Sequence, residues 1–382
     1  MAVDVRPVRS RGDLMRFIKL PWRLYRNEPN WVPPLLSERR RHLDRSKNPF
    51  FEHAEAEYFL ASRDGEPVGR ISAHVDHRLN DVQQNAWGQF GFFECEDDPE
   101  AAGALLGAAE RWLRERDRDR MVGPFDFTTN HECGVLVEGH ELKPQILEFW
   151  HHPYYERLLE GYGLTKAMDL LKWELYIQQA RARVLPVILE LAEQLEPEHG
   201  IRIRHMRRRD FEAEVRRFME IYNIAWERNW GFVPLTDNEL RHYAKEMKPI
   251  LDENWAMIAE REDGEVVGVA LTLPDYNEVL AHLNGRLLPF GWLKALRERR
   301  WISTVRVFAL GVKPEYQHTG VAAALYVEHF EMAEKTPQKG GEMGWILETN
   351  TAMNKAMEAM GGEVVKRYRV FEKLLAADQA SE

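Results

Sequence analysis

The sequence predicts a mixed α/β protein made of two copies of one fold, and three internal matches carry that prediction. "VRPVR" at Val5 to Arg9 resembles "IRHMR" at Ile203 to Arg207. "ASRDGEPVG" at Ala61 to Gly69 returns as "AEREDGEVVG" at Ala259 to Gly268, each a strand, an Asp-Gly turn and a second strand. "LLEGYGLTKAMDLLKWEL", ending at Leu175, resembles "AMEAMGGEVVKRYRVFEK", ending at Lys373. All three matches are offset by 198 positions and keep their order, which marks a duplication.

Each copy reads as strand, helices, hairpin, strand, helix, strand, helix, strand. In the second copy the strands are expected at Ile201–Met206, Trp255–Glu260, Val266–Leu273, Val305–Val312, Met343–Leu347 and Val364–Phe371. Helices are expected at Phe211–Arg228, Asp237–Leu251, Gly320–Lys335 and Ala352–Met360. Each copy should then be a mixed, mostly antiparallel sheet flanked by helices. The stretch "LPVILELAEQLEPEHG" forms a connecting helix that breaks at Gly200. This divides the chain into a first domain at 1–178, a helical linker at 179–200, a second domain at 201–375 and a disordered tail at 376–382.

Length and composition agree with two folded domains. The chain has 382 residues, of which 44% are hydrophobic and 30% charged, a balance that can fill two cores. The net charge of -10 and the lack of a dominant basic stripe argue against nucleic acid as a partner. Only Cys95 and Cys133 are present, too few for a disulfide framework or a cysteine zinc site. No apolar run is long enough to span a bilayer and no signal-peptide pattern opens the chain, so a cytoplasmic protein without an integral membrane segment is expected.

The chemistry is concentrated in "GVKPEYQHTGVAAALYVE", Gly311 to Glu328. The strand before it, "VRVFALGV", is nearly all apolar and should be buried on both faces. The segment after it, from Val321, is apolar nearly all round, as a buried helix is. The turn between them places backbone N–H groups at a helix start, where they lack intrahelical acceptors and the helix dipole is positive. Gly320 has no side chain to obstruct a phosphate, and Gln317, His318 and Thr319 add polar donors. The pattern is that of a pyrophosphate cradle; the rival reading is a surface loop at a helix cap.

"QHTGVA" at Gln317 to Ala322 matches the Gln/Arg-x-x-Gly-x-Gly/Ala motif of the GNAT acyltransferase superfamily, within the matching order strand, turn, helix, strand, helix. The whole chain also resembles a bacterial group of tandem-GNAT proteins, through "NWVPP", "KNPFFEHAEA", "FGFFECEDDP" and "VKRYRV". The resemblance implies that Gln317, His318, Thr319, Gly320, Val321 and Ala322 bind the pyrophosphate of acetyl-CoA, and that the strand edge at Leu310 and Val312 binds its pantetheine arm. Asn350 keeps the family's helix-opening place, while Gly362 stands where the family has an aromatic residue. The activity implied is transfer of an acyl group, expected to be acetyl, to the amine of a small molecule or peptide, with acetyl-CoA as cosubstrate and no metal. A non-catalytic acyl-CoA sensor and an aminoacyl transferase of the tandem-GNAT ligase type are the alternatives.

Two departures qualify that picture. The first copy has "FGFFECEDDPEAAGALL" at the equivalent junction, where Glu94, Glu96, Asp97, Asp98 and Glu100 replace the polar donors and would repel a phosphate. The same acids are also good helix caps, and on either reading this copy holds no CoA. In the second copy Met357 occupies the place of the family's acidic tyrosine, so Tyr368 is the nearest phenol for the departing thiolate, or else simply packs on its strand. Glu348, where the family's sheet splays open, is the candidate base, or else a solvated strand end.

Trp226 and Trp230, in "AWERNWGFVP", occupy the family's acceptor loop and either line that pocket or pack a core. The insertion Pro274–Trp301 reads as a packed substrate lid in preference to a membrane-surface patch. "TTNHECG" at Thr128–Gly134 and the histidine pair in "WHHPYY" read as turns ahead of ligand sites. His53, with Glu52 and Glu55, lacks the spacing of a metal motif.

Overall fold

A computed structural model of the chain describes residues 2–227 and 229–375. The expected tail at 376–382 and Arg228, the expected last residue of one helix, lie outside the described residues. The strands are β1 (Asp4–Pro7), β2 (Ala54–Arg63), β3 (Glu66–Asp76), β4 (Trp87–Cys95), β5 (Arg120–Gly123), β6 (Val135–Glu138), β7 (Thr165–Tyr176), β8 (Ile201–His205), β9 (Ala256–Arg261), β10 (Val266–Pro274), β11 (Val305–Val312), β12 (Gly340–Leu347) and β13 (Glu363–Leu374). The α-helices are α1 (Arg11–Leu24), α2 (Leu36–His42), α3 (His77–Gln83), α4 (Pro99–Arg114), α5 (Tyr154–Gly161), α6 (Ile177–Arg183), α7 (Pro186–His199), α8 (Phe211–Trp226), α9 (Asp237–Met247), α10 (Asn277–Leu280), α11 (Gly291–Glu298), α12 (Val321–Lys335) and α13 (Thr351–Ala359). Among the described residues no helix is long and apolar enough to cross a membrane.

The described residues gather into two compact units. One takes those within Met1–Leu170, Leu283–Pro289 and Lys366–Glu382; the other takes those within Leu171–His282 and Phe290–Val365. Repetition in sequence sets a boundary near Gly200, whereas the compact units change at Leu171. The chain's last strand, from Lys366, belongs to the first unit.

In the first unit β1, β2, β3 and β4 form an antiparallel run, and β4 meets β5 in parallel. β13 follows, pairing antiparallel with β5 at Phe371–Leu374 and with β6 at Arg367–Arg369. α4 buries Leu105, Leu106, Ala109 and Leu113 on this sheet, spaced as a helix face requires. In the second unit β8, β9, β10 and β11 run antiparallel and β11 meets β12 in parallel. The duplication is visible in register: Val5 pairs with Ala61, and 198 positions later Ile203 pairs with Ala259.

β11 and α12 have the predicted character. α12 buries Val321, Ala323, Ala324, Leu325 and Tyr326, so its first turns present little surface to water. β12 begins at Gly340, ahead of the expected Met343, because its glycine-rich start has no apolar pattern to read. The backbones are close there: a Cβ on Gly341 would stand 1.7 Å from Val305 O, so only glycine can pair at that position.

Candidate active site

Two parallel strands that part create the site. β11 and β12 are paired where Val305, Arg306 and Val307 face Gly341, Glu342 and Met343. On its other edge β11 follows β10 as far as Val312, with a register skip that leaves Phe308 as a bulge between Val307 and Ala309. The wedge opened between β11 and β12 is a cavity of about 450 Å³. Phe308–Val312 of β11 and Gly344–Leu347 of β12 form its two walls, and α12, α13 and the end of α8 contribute Tyr326, His329, Met353, Met357 and Trp226.

The helix start at this cavity has the geometry of an anion site. The first helical bond runs from Ala324 N to Gly320 O at 2.9 Å, so the N–H groups of Val321, Ala322 and Ala323 precede any intrahelical acceptor. Gln317 and Ala322 line the cavity, as do Leu310, Val312 and Asn350. His318 is exposed on the turn. Thr319 is spent on structure, its N–H and hydroxyl both donating to Tyr316 O, at 3.1 and 2.7 Å. Gly320 has φ +89°, and a Cβ there would meet Leu191 O of α7 at 2.7 Å. Its glycine is therefore demanded by the neighbouring helix, independently of any ligand.

The expected catalytic residues are not brought together. Tyr368 belongs to the first unit, buried, with its hydroxyl donating to Phe149 O at 2.8 Å. Glu348 follows β12 but does not line the cavity; its carbonyl faces Asn354 Nδ2 at 3.4 Å. Asn350 does line it while also capping α13, its side chain accepting from Met353 N at 3.1 Å. Trp226 stacks on Tyr222 and lies over Gly311, where a Cβ would meet its ring at 2.4 Å. Trp230 is half-buried away from the lining.

Three titratable side chains that the sequence reading passed over do line the cavity. Tyr326 presents a phenol whose hydroxyl is 3.4 Å from Met353 Sδ, and burial holds its pKa well above the usual value, so it stays protonated. His329 is held on both nitrogens: Nδ1 is 2.6 Å from Leu325 O and Nε2 is 2.8 Å from Thr272 Oγ1. Burial lowers its pKa, so the ring is neutral, donating to the carbonyl and accepting from the hydroxyl. Glu342 is a buried carboxylate on β12, opposite Arg306 in the parallel register. Nearby, Lys172 Nζ and the Arg306 guanidinium converge on Gly344 O, at 2.8 and 3.3 Å. Tyr326 and Glu342 sit inside apolar and glycine-rich runs, where helix or strand pattern hides a functional side chain.

At the equivalent helix start of the first unit, that of α4, a carboxylate already takes the place of an anion. Asp98 caps α4, accepting from the N–H groups of Glu100 and Ala101 at 3.0 and 3.3 Å, and Arg63 pairs with Asp98 and Glu100. Glu94 is buried with the Tyr25 and Tyr155 hydroxyls donating to it at 2.5 and 2.6 Å. "TTNHECG" is a turn, with His131 N donating to Thr128 O at 3.1 Å, and its Glu132 pairs with Arg39. Among the described residues no group of three or more His, Cys, Asp or Glu side chains is placed to hold a metal ion.

A mixed sheet with a parallel pair in each unit, the second pair splitting beside a phosphate-type helix start, defines the class: a tandem GNAT acyltransferase fold. A solved tandem GNAT protein from the clavulanic acid biosynthesis pathway matches 98% of this chain and 99% of its own, with a TM-score of 0.55 at 12% identity. No family model matches the sequence. The "Bacterial ceramide synthase" of Caulobacter vibrioides is 38% identical over 381 residues, 98% of each chain, and "Protein YghO" of Escherichia coli is 36% identical over 375 residues, 97% of this chain and 95% of its own. The chain belongs to the family of these two proteins.

Proposed function

We propose that the chain is an acyl-CoA-dependent N-acyltransferase that joins a long acyl chain to the amine of a sphingoid-type lipid. One observation carries the long chain: Met343, Met353, Met357, Met360, Phe330 and Ile346 wall the same cavity that the β11 edge and Gln317 enter. Flexible thioethers make an adaptable apolar channel for alkyl chain, and an acetyl group needs none of it. The Caulobacter relative carries the name of an enzyme making a ceramide, an amide between a fatty acid and a long-chain amino alcohol. In this reading the donor is longer than the acetyl-CoA that the motif resemblance implies.

In this reading the β11 edge at Leu310 and Val312 takes the pantetheine amides. Gln317, His318 and the N–H groups of Val321 and Ala322 take the pyrophosphate, Asn350 borders the thioester and Trp226 walls the acceptor side. Bound acyl-CoA supplies an activated carbonyl and a thiolate leaving group. Tyr326, kept protonated by burial, donates a proton to the departing sulfur. Glu342 accepts the proton that the attacking ammonium must lose, and Glu348 is its competitor for that role. Orientation of an already activated thioester in the β11–β12 wedge does much of the work.

The test is direct. The purified protein is incubated with acetyl-, octanoyl- or palmitoyl-CoA and sphinganine, and the lipid products are identified by mass spectrometry. The palmitoyl amide is expected to dominate. An acetyl amide alone, or no amide from any donor, overturns the reading.

A further inference from the structure

The insertion before β11 is packed only in its first part, where Asp275, Asn277 and Val279 are buried; Phe290–Trp301 departs from the expected packed lid. α11 buries none of its residues, and Phe290, Trp292, Leu293, Leu296 and Trp301 are exposed by 73, 49, 48, 52 and 68%. Trp292 and Leu293 lie one turn from Leu296, so the three share a face of the helix. The cations Lys294, Arg297, Arg299 and Arg300 are exposed in the same stretch, against a single carboxylate, Glu298. Glu298 is itself turned to His282, at 3.0 Å, and to Lys294, at 3.9 Å. Among the described residues no carboxylate is within ion-pair distance of Arg297, Arg299 or Arg300. The Arg300 guanidinium lies 5.1 Å from the Trp301 ring. In a chain of net charge -10 this patch has the opposite sign.

We propose that Phe290–Trp301 docks the protein on the surface of an anionic lipid bilayer. The partner must offer an apolar interior within one side-chain length of a dense layer of anions, because exposed rings flank arginines without an ion pair along this short stretch. The headgroup–acyl boundary of an anionic membrane has that structure: Phe290, Leu293 and Leu296 enter the acyl layer, the indoles of Trp292 and Trp301 sit at the boundary, and the arginines reach lipid phosphates. Three residues, beginning with the buried Ile302, separate the patch from Val305, the first cavity-lining residue of β11, so a docked chain would hold its cavity strand near the lipid. Docking is independent of acyl transfer and is measured without acyl-CoA.

The experiment is co-sedimentation of the full chain with vesicles of phosphatidylcholine, with and without phosphatidylglycerol. Binding about tenfold tighter to the anionic vesicles is expected, falling steeply with added salt. Leu296→Glu should lower that binding by about tenfold or more, and Arg297→Gln with Arg300→Gln should remove the preference for the anionic lipid. Circular dichroism melts establish that each variant is folded. Should a charge on the helix disturb it, Phe290→Ser and Trp301→Ser, outside α11, give the same readout. Absence of vesicle binding, or binding indifferent to all these variants, overturns the proposal. So does a wild-type dimer that Leu296→Glu dissociates without vesicle binding, which would make the face a contact between two copies. Amide formation on a detergent-dispersed acceptor stays unchanged in these variants, which separates this inference from the catalytic one.

Discussion

Gly320 lies directly against Leu191: a Cβ at position 320 would stand 2.7 Å from the Leu191 carbonyl oxygen, and the residue already holds φ +89°. The glycine that ends the turn proposed to take the pyrophosphate is thus also a contact by which α7 packs on α12. Gly320→Ala should cost about 1–3 kcal/mol from the left-handed backbone and the displaced carbonyl. A thermal melt and protease cleavage within 185–200 would register this; an unchanged melt would show that α7 yields freely. Loss of CoA binding in that variant is ambiguous, so Gln317→Ala is the cleaner probe of the cradle, with weaker binding and an unaltered melt expected.

Acyl-CoA should bind once per chain. The α12 start offers N–H groups ahead of its first helical bond, whereas at the α4 start Asp98 already accepts from Glu100 and Ala101 and is paired with Arg63. A like-charged carboxylate at the place a phosphate would occupy is repulsive at any dielectric. Isothermal titration with a non-hydrolysable acyl-CoA thioether is expected to give a stoichiometry of one, and two equivalent sites would refute the assignment.

Tyr326→Phe should lower kcat by roughly 10²-fold and Glu342→Gln should lower kcat/KM by a similar factor, the usual size of a lost acid or base contribution, with acyl-CoA affinity retained. Little stability should be lost in Tyr326→Phe, since its hydroxyl is near a thioether at 3.4 Å, a weak acceptor. Glu348→Gln is the decisive companion. If activity falls in that variant and not in Glu342→Gln, the base is at the strand end; if neither matters, positioning of the thioester suffices.

His74 and His151 are buried in the first unit, and burial holds the pKa of each down to about 3 from 6.5. Neutral rings fit their contacts, Leu136 N donating to His151 Nδ1 at 3.2 Å and His74 Nε2 facing Phe127 O at 3.0 Å. Below about pH 6.5 the unfolded chain takes up two protons that the folded one refuses, so their stability contribution, complete above that pH, drains away as pH falls toward 3. The slope approaches ~1.4 kcal/mol per pH unit for each histidine. Urea midpoints between about pH 7 and 4 should fall accordingly. Ring NMR signals that titrate normally, near the unperturbed histidine pKa of about 6.5, would contradict it.

Local pattern in the chain specifies the duplication, the β11–turn–α12 junction and the missing cradle of the first copy. Each depends on residues close in sequence: an alternating or continuous apolar run, an Asp-Gly turn, a glycine before an apolar helix, acids at a helix cap. The pairing of Val5 with Ala61 and of Ile203 with Ala259 follows that repetition directly. Tertiary structure decided what pattern cannot encode. Tyr368 sits in a repeat of the second copy, yet its strand from Lys366 is built into the first unit, where the hydroxyl meets Phe149 O, because a strand's partner is chosen by long-range packing. Glu342 and Tyr326 come to one cavity from a strand and a helix that nothing in their own sequence aligns, since the wedge exists only where β11 and β12 stop pairing. The insertion's apolar residues read as a packed lid ahead of a membrane-surface patch, and the fold left Phe290 and Trp301 uncovered, because burial is a property of neighbours that the segment itself does not carry.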